Sequence, residues 1–174
     1  MRYGDISPCN TLNGEGFRTV IWVSGCNRHP KCRNCQNSKA WSFEYGEEYT
    51  KDTEDYLIEC LNKPYIKGLS ITGGECTDNL ESGELFSLIK RYRENNNGSV
   101  WAWSGYTYEE LINDPLKKKF IKELDVLVDG EYIPELKDLS RPWGNSSNQR
   151  VIDVQKTLEK GEVVLWQNIQ KRRY

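Results

Sequence analysis

At 174 residues, with 24 Lys and Arg against 26 Asp and Glu, the chain carries a formal net charge of −2. That balance asks for neither nucleic acid nor an anionic membrane as a partner, and the length suits a single domain, residues 1–174, with a substantial core. No long apolar segment and no signal-peptide apolar stretch is present, so a cytoplasmic protein is expected, in which six cysteines point to metal binding or catalysis rather than to a disulfide framework.

Residues 1–16 contain Ser7-Pro8 and Asn13-Gly14-Glu15-Gly16 and are expected to be irregular and turn-rich. Two glycines spaced this way are weak support for a phosphate loop. Phe17–Val23, rich in aromatic and β-branched residues, reads as the first strand. It delivers a loop in which Cys26, Cys32 and Cys35 fall within ten residues, separated by five residues and then by two.

Thiolates this close repel one another or oxidise unless a soft metal holds them. Two readings stay open at this point. Cys26, His29, Cys32 and Cys35 offer four ligands for a structural zinc, His29 being the only histidine. Against this, the four lack the two separated knuckles of common zinc patterns, and Pro30 restricts how His29 turns inward. Alternatively, the three cysteines hold a 4Fe-4S cluster and leave one iron without a protein ligand. An electron-transfer ferredoxin would want a fourth cysteine close by, followed by proline. The next thiols are Cys60 and Cys76, far along the chain. Cys9 and Cys60 read as small buried or half-buried residues.

Helical spacing of Leu57, Ile58 and Leu61 predicts a helix near Asp52–Asn62, stopped before Pro64. Gly68–Thr72 is a second strand, ending in Gly73-Gly74-Glu75-Cys76. Leu85, Leu88, Ile89 and Tyr92 mark the next helix, and Asn95-Asn96-Asn97-Gly98 ends it. Val100–Trp103 is a third strand, followed by Ser104-Gly105-Tyr106. Thr107-Tyr108-Glu109-Glu110 has the form of a capping box opening a helix that breaks at Asp114-Pro115 and resumes over Leu116–Ile121. Leu124–Val128 is a fourth strand, ending at Asp129-Gly130. Glu131 to Gln149 shows no periodicity, as expected of a functional loop or partner contact. Val151–Val154 and Glu162–Trp166, around Gly161, read as a closing hairpin, and Lys171-Arg172-Arg173 as a solvated tail.

Strand and helix alternate, the pattern of a parallel sheet with crossover helices. Ligands collect at the carboxyl ends of such strands, and the distinctive motifs follow strands one to four in turn: the cysteine loop, Gly73-Gly74-Glu75, Ser104-Gly105-Tyr106 and Asp129-Gly130. One mouth would hold them all, which argues against a purely structural zinc knuckle. Gly73 and Gly74 alone explain a tight turn. Beside an open iron they also let backbone groups approach a zwitterion chelated there, with Glu75 facing its cationic group. Trp41, Trp101 and Trp103 read as core or wall residues.

The cysteine triad after the first strand, Gly73-Gly74-Glu75 after the second and the α/β order together resemble the radical S-adenosylmethionine enzymes. More narrowly, Asn13–Arg18, Val23–Cys26, Leu69–Glu75, Trp103–Tyr106, Leu127–Gly130 and Gly144–Asp153 are similar to the activating proteins of anaerobic, class III ribonucleotide reductase. The chain departs from that pattern in three places: five residues rather than three between Cys26 and Cys32, Gln36 where tyrosine is common, and Cys76 where proline is common.

The resemblance implies an α/β fold and a 4Fe-4S cluster on Cys26, Cys32 and Cys35. It also implies S-adenosylmethionine on the remaining iron. Gly73, Gly74 and Glu75 would meet its amino group, with the backbone around Asn34 and Gln36 and the loops at Ser104 and Asp129 along its adenosyl part. Reductive cleavage by an electron from a low-potential carrier such as a flavodoxin or ferredoxin would give a 5′-deoxyadenosyl radical, and that radical would take hydrogen from a glycine of the reductase's large subunit. About four strand–helix units cannot close an eight-stranded barrel. The expected fold is therefore an incomplete parallel (βα) barrel with a C-terminal hairpin, open on one side to a glycine-bearing loop. A radical enzyme acting on a small molecule is the nearest alternative.

Overall fold

Why the chain's ends of strands converge is seen in the register of four parallel strands. The structure is a computed structural model, and it describes residues 1–167. The strands β2 (Phe17–Val23), β4 (Ile66–Gly73), β5 (Ser99–Trp103) and β6 (Val126–Asp129) lie side by side in parallel. Val23 aligns with Gly73, Ile71 with Ala102 and Trp103 with Val128, so the residues that follow each strand emerge along one edge.

Antiparallel strands flank this centre. On one side stand β1 (Arg2–Asn10) and the two-residue β3 (Glu47–Glu48), on the other β7 (Arg150–Asp153). The order is β3-β1-β2-β4-β5-β6-β7, a mixed seven-stranded sheet.

Local chemistry fixes the connections. The helix α1 (Lys51–Leu61) begins at Thr50, whose hydroxyl accepts from Thr53 N in a capping box. In α2 (Glu84–Asn95) the residues Leu85, Leu88, Ile89 and Tyr92 form the buried stripe expected from their spacing. Thr107 and Glu110 cap α3 (Tyr108–Leu111) reciprocally. Asp114 accepts from two backbone amides to open α4 (Pro115–Lys122), with Pro115 in the first turn where its missing N–H costs nothing.

Strand alternation divides the core. Ile21, Ile71, Ala102, Leu127 and Ile152 face the helices and join the large apolar cluster. The opposite face carries Trp101, Val126, Val128 and Val151, with Trp103, Trp143 and Trp166 packed against them. Trp101 meets Trp143 edge to face at 4.8 Å and Trp166 at 5.7 Å between ring centroids.

Three expectations are corrected. Residues 2–10 are a strand rather than irregular chain: β1 pairs with β2 across two register shifts, which accommodate Gly4 and Pro8. The predicted hairpin pairs as expected, since Asp153 N donates to Val164 O and Trp166 N to Val151 O. Its connection, however, is the helix α5 (Val154–Lys160), capped by Asp153 and ended by Gly161 at φ 72°. Cys9 is exposed, not buried, whereas Cys60 is buried. The Lys171–Arg173 tail lies outside the described residues. Among the described residues no helix is long and apolar enough to cross a membrane.

Candidate functional site

A cavity of about 610 Å³ opens where the parallel strands end, within the range of small-ligand and cofactor sites. Its walls are Trp22 of β2, Thr72 of β4 and Trp103 of β5, and its rim is made by the loops that follow them.

The cysteine loop is closed by its own backbone. Gly25 N donates to Ala40 O at 2.8 Å and Cys26 N to Trp41 O at 3.1 Å, so the chain leaves at Cys26 and returns at Trp41, the end of a 3-10 turn over Ser38–Trp41. Gly25 has φ 100°, and a Cβ there would strike Phe43. All three thiols are half-buried. Cys32 and Cys35 line the cavity. Cys26 is not among its lining residues and feels the charges of Lys31, Glu75 and Asp78.

Burial pushes the Cys26 and Cys32 thiols above their usual range, an effect that bound cations reverse. Among the described residues no three His, Cys, Asp or Glu side chains are grouped as ligands of one ion. His29 is exposed. A tetrahedral zinc needs four donors converging to about 2.3 Å or less from one point, whereas an iron–sulfur cluster takes each thiolate on a separate iron. With His29 turned to solvent, the donors that remain are three half-buried thiols, a set that fits an iron–sulfur cluster.

The Gly73-Gly74 turn is shaped by close backbone approach. Gly74 N donates to Val23 O and Glu75 N to Gly25 O, each at 2.7 Å. A Cβ on Gly74 would stand 2.3 Å from Gly25 O and 2.6 Å from Ala40 O, and Gly73 adopts φ 118°. Only glycine fits here, because the turn lies directly on the base of the cysteine loop. Both glycines also line the cavity.

Glu75 lies behind the cavity wall. It is 1% exposed and absent from the cavity lining. Its Oε1 accepts from Thr77 N at 3.1 Å and Thr77 Oγ1 at 2.7 Å, and its Oε2 from Gly105 N at 2.8 Å. Burial pushes this carboxyl up while those hydrogen bonds hold it down. Its side chain ties the loop after β4 to the loop after β5. Beside it Cys76, fully buried, donates its thiol to Trp103 O at 3.3 Å.

Asp129 is likewise 1% exposed and turned away from the cavity. It accepts from Arg150 Nε at 3.0 Å and Tyr108 N at 2.7 Å, and so joins β6, β7 and the start of α3. The adjoining Gly130 lines the cavity instead. Asn34 is exposed, in the left-handed region at φ 54°. Of the predicted residues, the structure brings Cys32, Cys35, Gln36, Gly73, Gly74 and Ser104 together around the cavity. Cys26, Asn34, Glu75 and Asp129 stand beside it.

The aperiodic segment 131–149 closes the remaining side. Tyr132, Arg141, Trp143 and Gln149 line the cavity, and none was legible as a site residue from spacing. Gln149 holds the segment in shape: its Oε1 accepts from Asn145 N at 2.8 Å, and its Nε2 donates to Gly130 O at 2.9 Å. Trp103 Nε1 donates to Trp143 O at 2.9 Å, fixing one wall to the other.

Four parallel strands ending in a thiol-bearing loop and a glycine-lined cavity define a mixed α/β protein with its candidate site at the carboxyl ends of the strands. Over residues 12–152 the chain matches a family described as a 4Fe-4S single cluster domain. It is 36% identical over 152 residues to the anaerobic ribonucleoside-triphosphate reductase-activating protein of Pasteurella multocida (strain Pm70), with 86% of this chain and 95% of the relative covered. Identity to the protein of that name from Escherichia coli (strain K12) is 35% over 154 residues, covering 87% and 97%. For that of Enterobacteria phage T4 it is 35% over 155 residues, covering 87% and 93%. The chain belongs to the family of anaerobic ribonucleoside-triphosphate reductase-activating proteins.

Proposed function

We propose that the chain is a radical S-adenosylmethionine activase acting on an anaerobic ribonucleotide reductase, with residues 1–174 as one domain. The observation that carries this is the convergence of the cysteine loop, the paired-glycine turn, Ser104-Gly105 and Gly130 on one cavity. In this reading Cys26, Cys32 and Cys35 would hold a 4Fe-4S cluster and leave one iron open to S-adenosylmethionine. When bound, the cluster and S-adenosylmethionine would supply one-electron radical chemistry directed at a glycine Cα of the reductase.

The chain's own residues bind, orient and exclude. Gly73 and Gly74 present backbone to the amino group, while Glu75 acts as a positioning residue through Gly105 and Thr77. Gln36, Ser104 and the backbone at Gly105 and Gly130 border the adenosyl part. Trp22, Trp103 and Trp143 form walls that keep water from a reactive carbon. No side chain is needed as a general acid or base. We read the sheet, four parallel strands with antiparallel edges, as an incomplete barrel whose open side admits the reductase's glycine loop. A low-potential flavodoxin or ferredoxin is the fitting electron donor.

The test is anaerobic reconstitution with iron and sulfide, then S-adenosylmethionine and a strong reductant. 5′-Deoxyadenosine is expected, together with a glycyl radical signal on the added reductase. Absence of cleavage with and without reductase would remove the radical reading; cleavage without a glycyl signal would redirect it to a small-molecule target.

A further inference from the structure

The five residues between Cys26 and Cys32 belong to no helix or strand, and Cys32 itself is hydrogen-bonded by the backbone of Tyr132, so the path of the arc between the two cysteines rests on side-chain contacts. Asn27, His29 and Pro30 are exposed. Lys31 is half-buried and turns back on the loop's own ends, its Nζ donating to Cys26 O and lying 5.9 Å from the Trp41 ring centre, whereas Arg28, with its side chain 16% exposed, reaches out of the loop. Its Nη2 lies 2.8 Å from Glu131 Oε2, and its guanidinium carbon lies 5.3 Å from the centre of the Tyr106 ring. Its stem runs along the backbone of Gly105, where a Cβ would come within 3.1 Å of Arg28 Cδ. Glu131 follows β6 and Tyr106 follows β5, and these two loops are joined by Gly130 N donating to Tyr106 O at 3.1 Å.

The start of the arc is held separately. Asn27 N donates to Asp78 Oδ2 at 2.7 Å, and Asp78 Oδ1 pairs with Lys117 Nζ at 2.9 Å. Lys117 in turn lies 4.2 Å from the Tyr106 ring centre. Arg28 therefore stands where three strand-end loops meet and is the one arc residue whose charged group reaches across to β5 and β6. The nearby Arg33–Glu135 pair is 74% and 58% exposed, and a pair so open to solvent contributes little.

We propose that Arg28 is a positioning residue that latches the Asn27–Lys31 arc onto Glu131 and Tyr106, and so fixes Cys32 relative to Cys26 and Cys35. A partly buried ion pair that also stacks on an aromatic ring is strong enough to set the opening equilibrium of an arc whose other ties are Asn27 N to Asp78 and Lys31 Nζ to Cys26 O. The latch itself follows from the side-chain contacts. Only its effect on iron rests on the cluster reading.

The experiment uses the full chain with Arg28→Met, Glu131→Gln, the charge swap Arg28→Glu with Glu131→Arg, and Arg33→Gln as the comparison. In metal-free protein, amide hydrogen exchange over residues 27–32 should quicken about fivefold in the first two and remain at the parent rate in Arg33→Gln. The swap should recover part of the protection. In reconstituted protein, iron loss to a chelator should quicken in the same order. Unchanged exchange in both single variants would overturn the latch. Should the parent take up no iron, the cluster reading fails and the exchange result still decides the latch.

Discussion

Replacing Cys26, Cys32 or Cys35 by alanine should lower iron retention more than about a hundredfold, beyond what loss of an outer-shell partner costs a metal site. The visible colour of the reconstituted protein and the cleavage of S-adenosylmethionine should go with it. Three thiols are the whole ligand set offered by the cysteine loop, and no carboxylate lies between Cys26 and Phe43 to stand in for a lost one. Cys9 and Cys60 supply the contrast. Cys9 is exposed on β1 and Cys60 is buried in α1, and neither borders the cavity. Cys9→Ala and Cys60→Ala should keep the full iron content, and a triad variant that does the same would contradict the assignment.

Arg18→Met should cost about 3–5 kcal/mol of unfolding free energy, from several buried polar groups each losing a partner at about 1–3 kcal/mol. In a chain of this length that lowers Tm by roughly 10 °C. Arg18 is fully buried, and its five hydrogen bonds reach Ser70 Oγ, Ser99 Oγ and the carbonyls of Leu69, Ser99 and Glu15. Its guanidinium lies 5.2 Å from the centre of the Trp101 ring. Burial pushes its pKa down to about 10, so at neutral pH it stays charged. Lysine cannot replace it, because a point ammonium does not span the same acceptors. The site feels the loss too: Ser70 Oγ donates to Asn13 O at 2.6 Å, and Asn13 borders the cavity. Thermal unfolding of the metal-free protein checks the size of the effect.

Arg18 also explains Asn13-Gly14-Glu15-Gly16, which looked like a weak phosphate loop. A Cβ on Gly14 would stand 2.6 Å from Arg18 Cδ, so the glycine makes room for a buried side chain and not for an anion. The parallel strands were legible because each carries apolar runs between glycine or polar breaks, and the carboxyl-end rule then placed the loops together. β1 was not legible: Arg-Tyr-Gly-Asp-Ile-Ser-Pro-Cys-Asn lacks alternation, and the strand forms because β2 and β3 supply partners on both sides. α5 was missed although Asp153 and Gly161 bracket it, since Val151–Val154 reads as strand and only tertiary pairing shows where strand ends.

In the site, residue identity pointed to the loops that border the cavity, while where each side chain turns depends on tertiary partners. Glu75 was expected to meet the ligand's amino group, and the loop at Asp129 to run along its adenosyl part. Glu75 spends its oxygens on the backbone amides of Thr77 and Gly105 and the Thr77 hydroxyl, and Asp129 on Tyr108 N and Arg150, which is how the loops they belong to are held in register. Cavity walls from 131–149 carry no periodic signal, since turns knitted by Gln149 need none.

The most direct measurement is Mössbauer spectroscopy of the anaerobic, iron-57-reconstituted protein before and after S-adenosylmethionine is added. The open-corner site predicts that one iron in four changes its signal while the three held by Cys26, Cys32 and Cys35 do not. Four irons unmoved by the ligand, or no cluster iron in the folded protein, would contradict it.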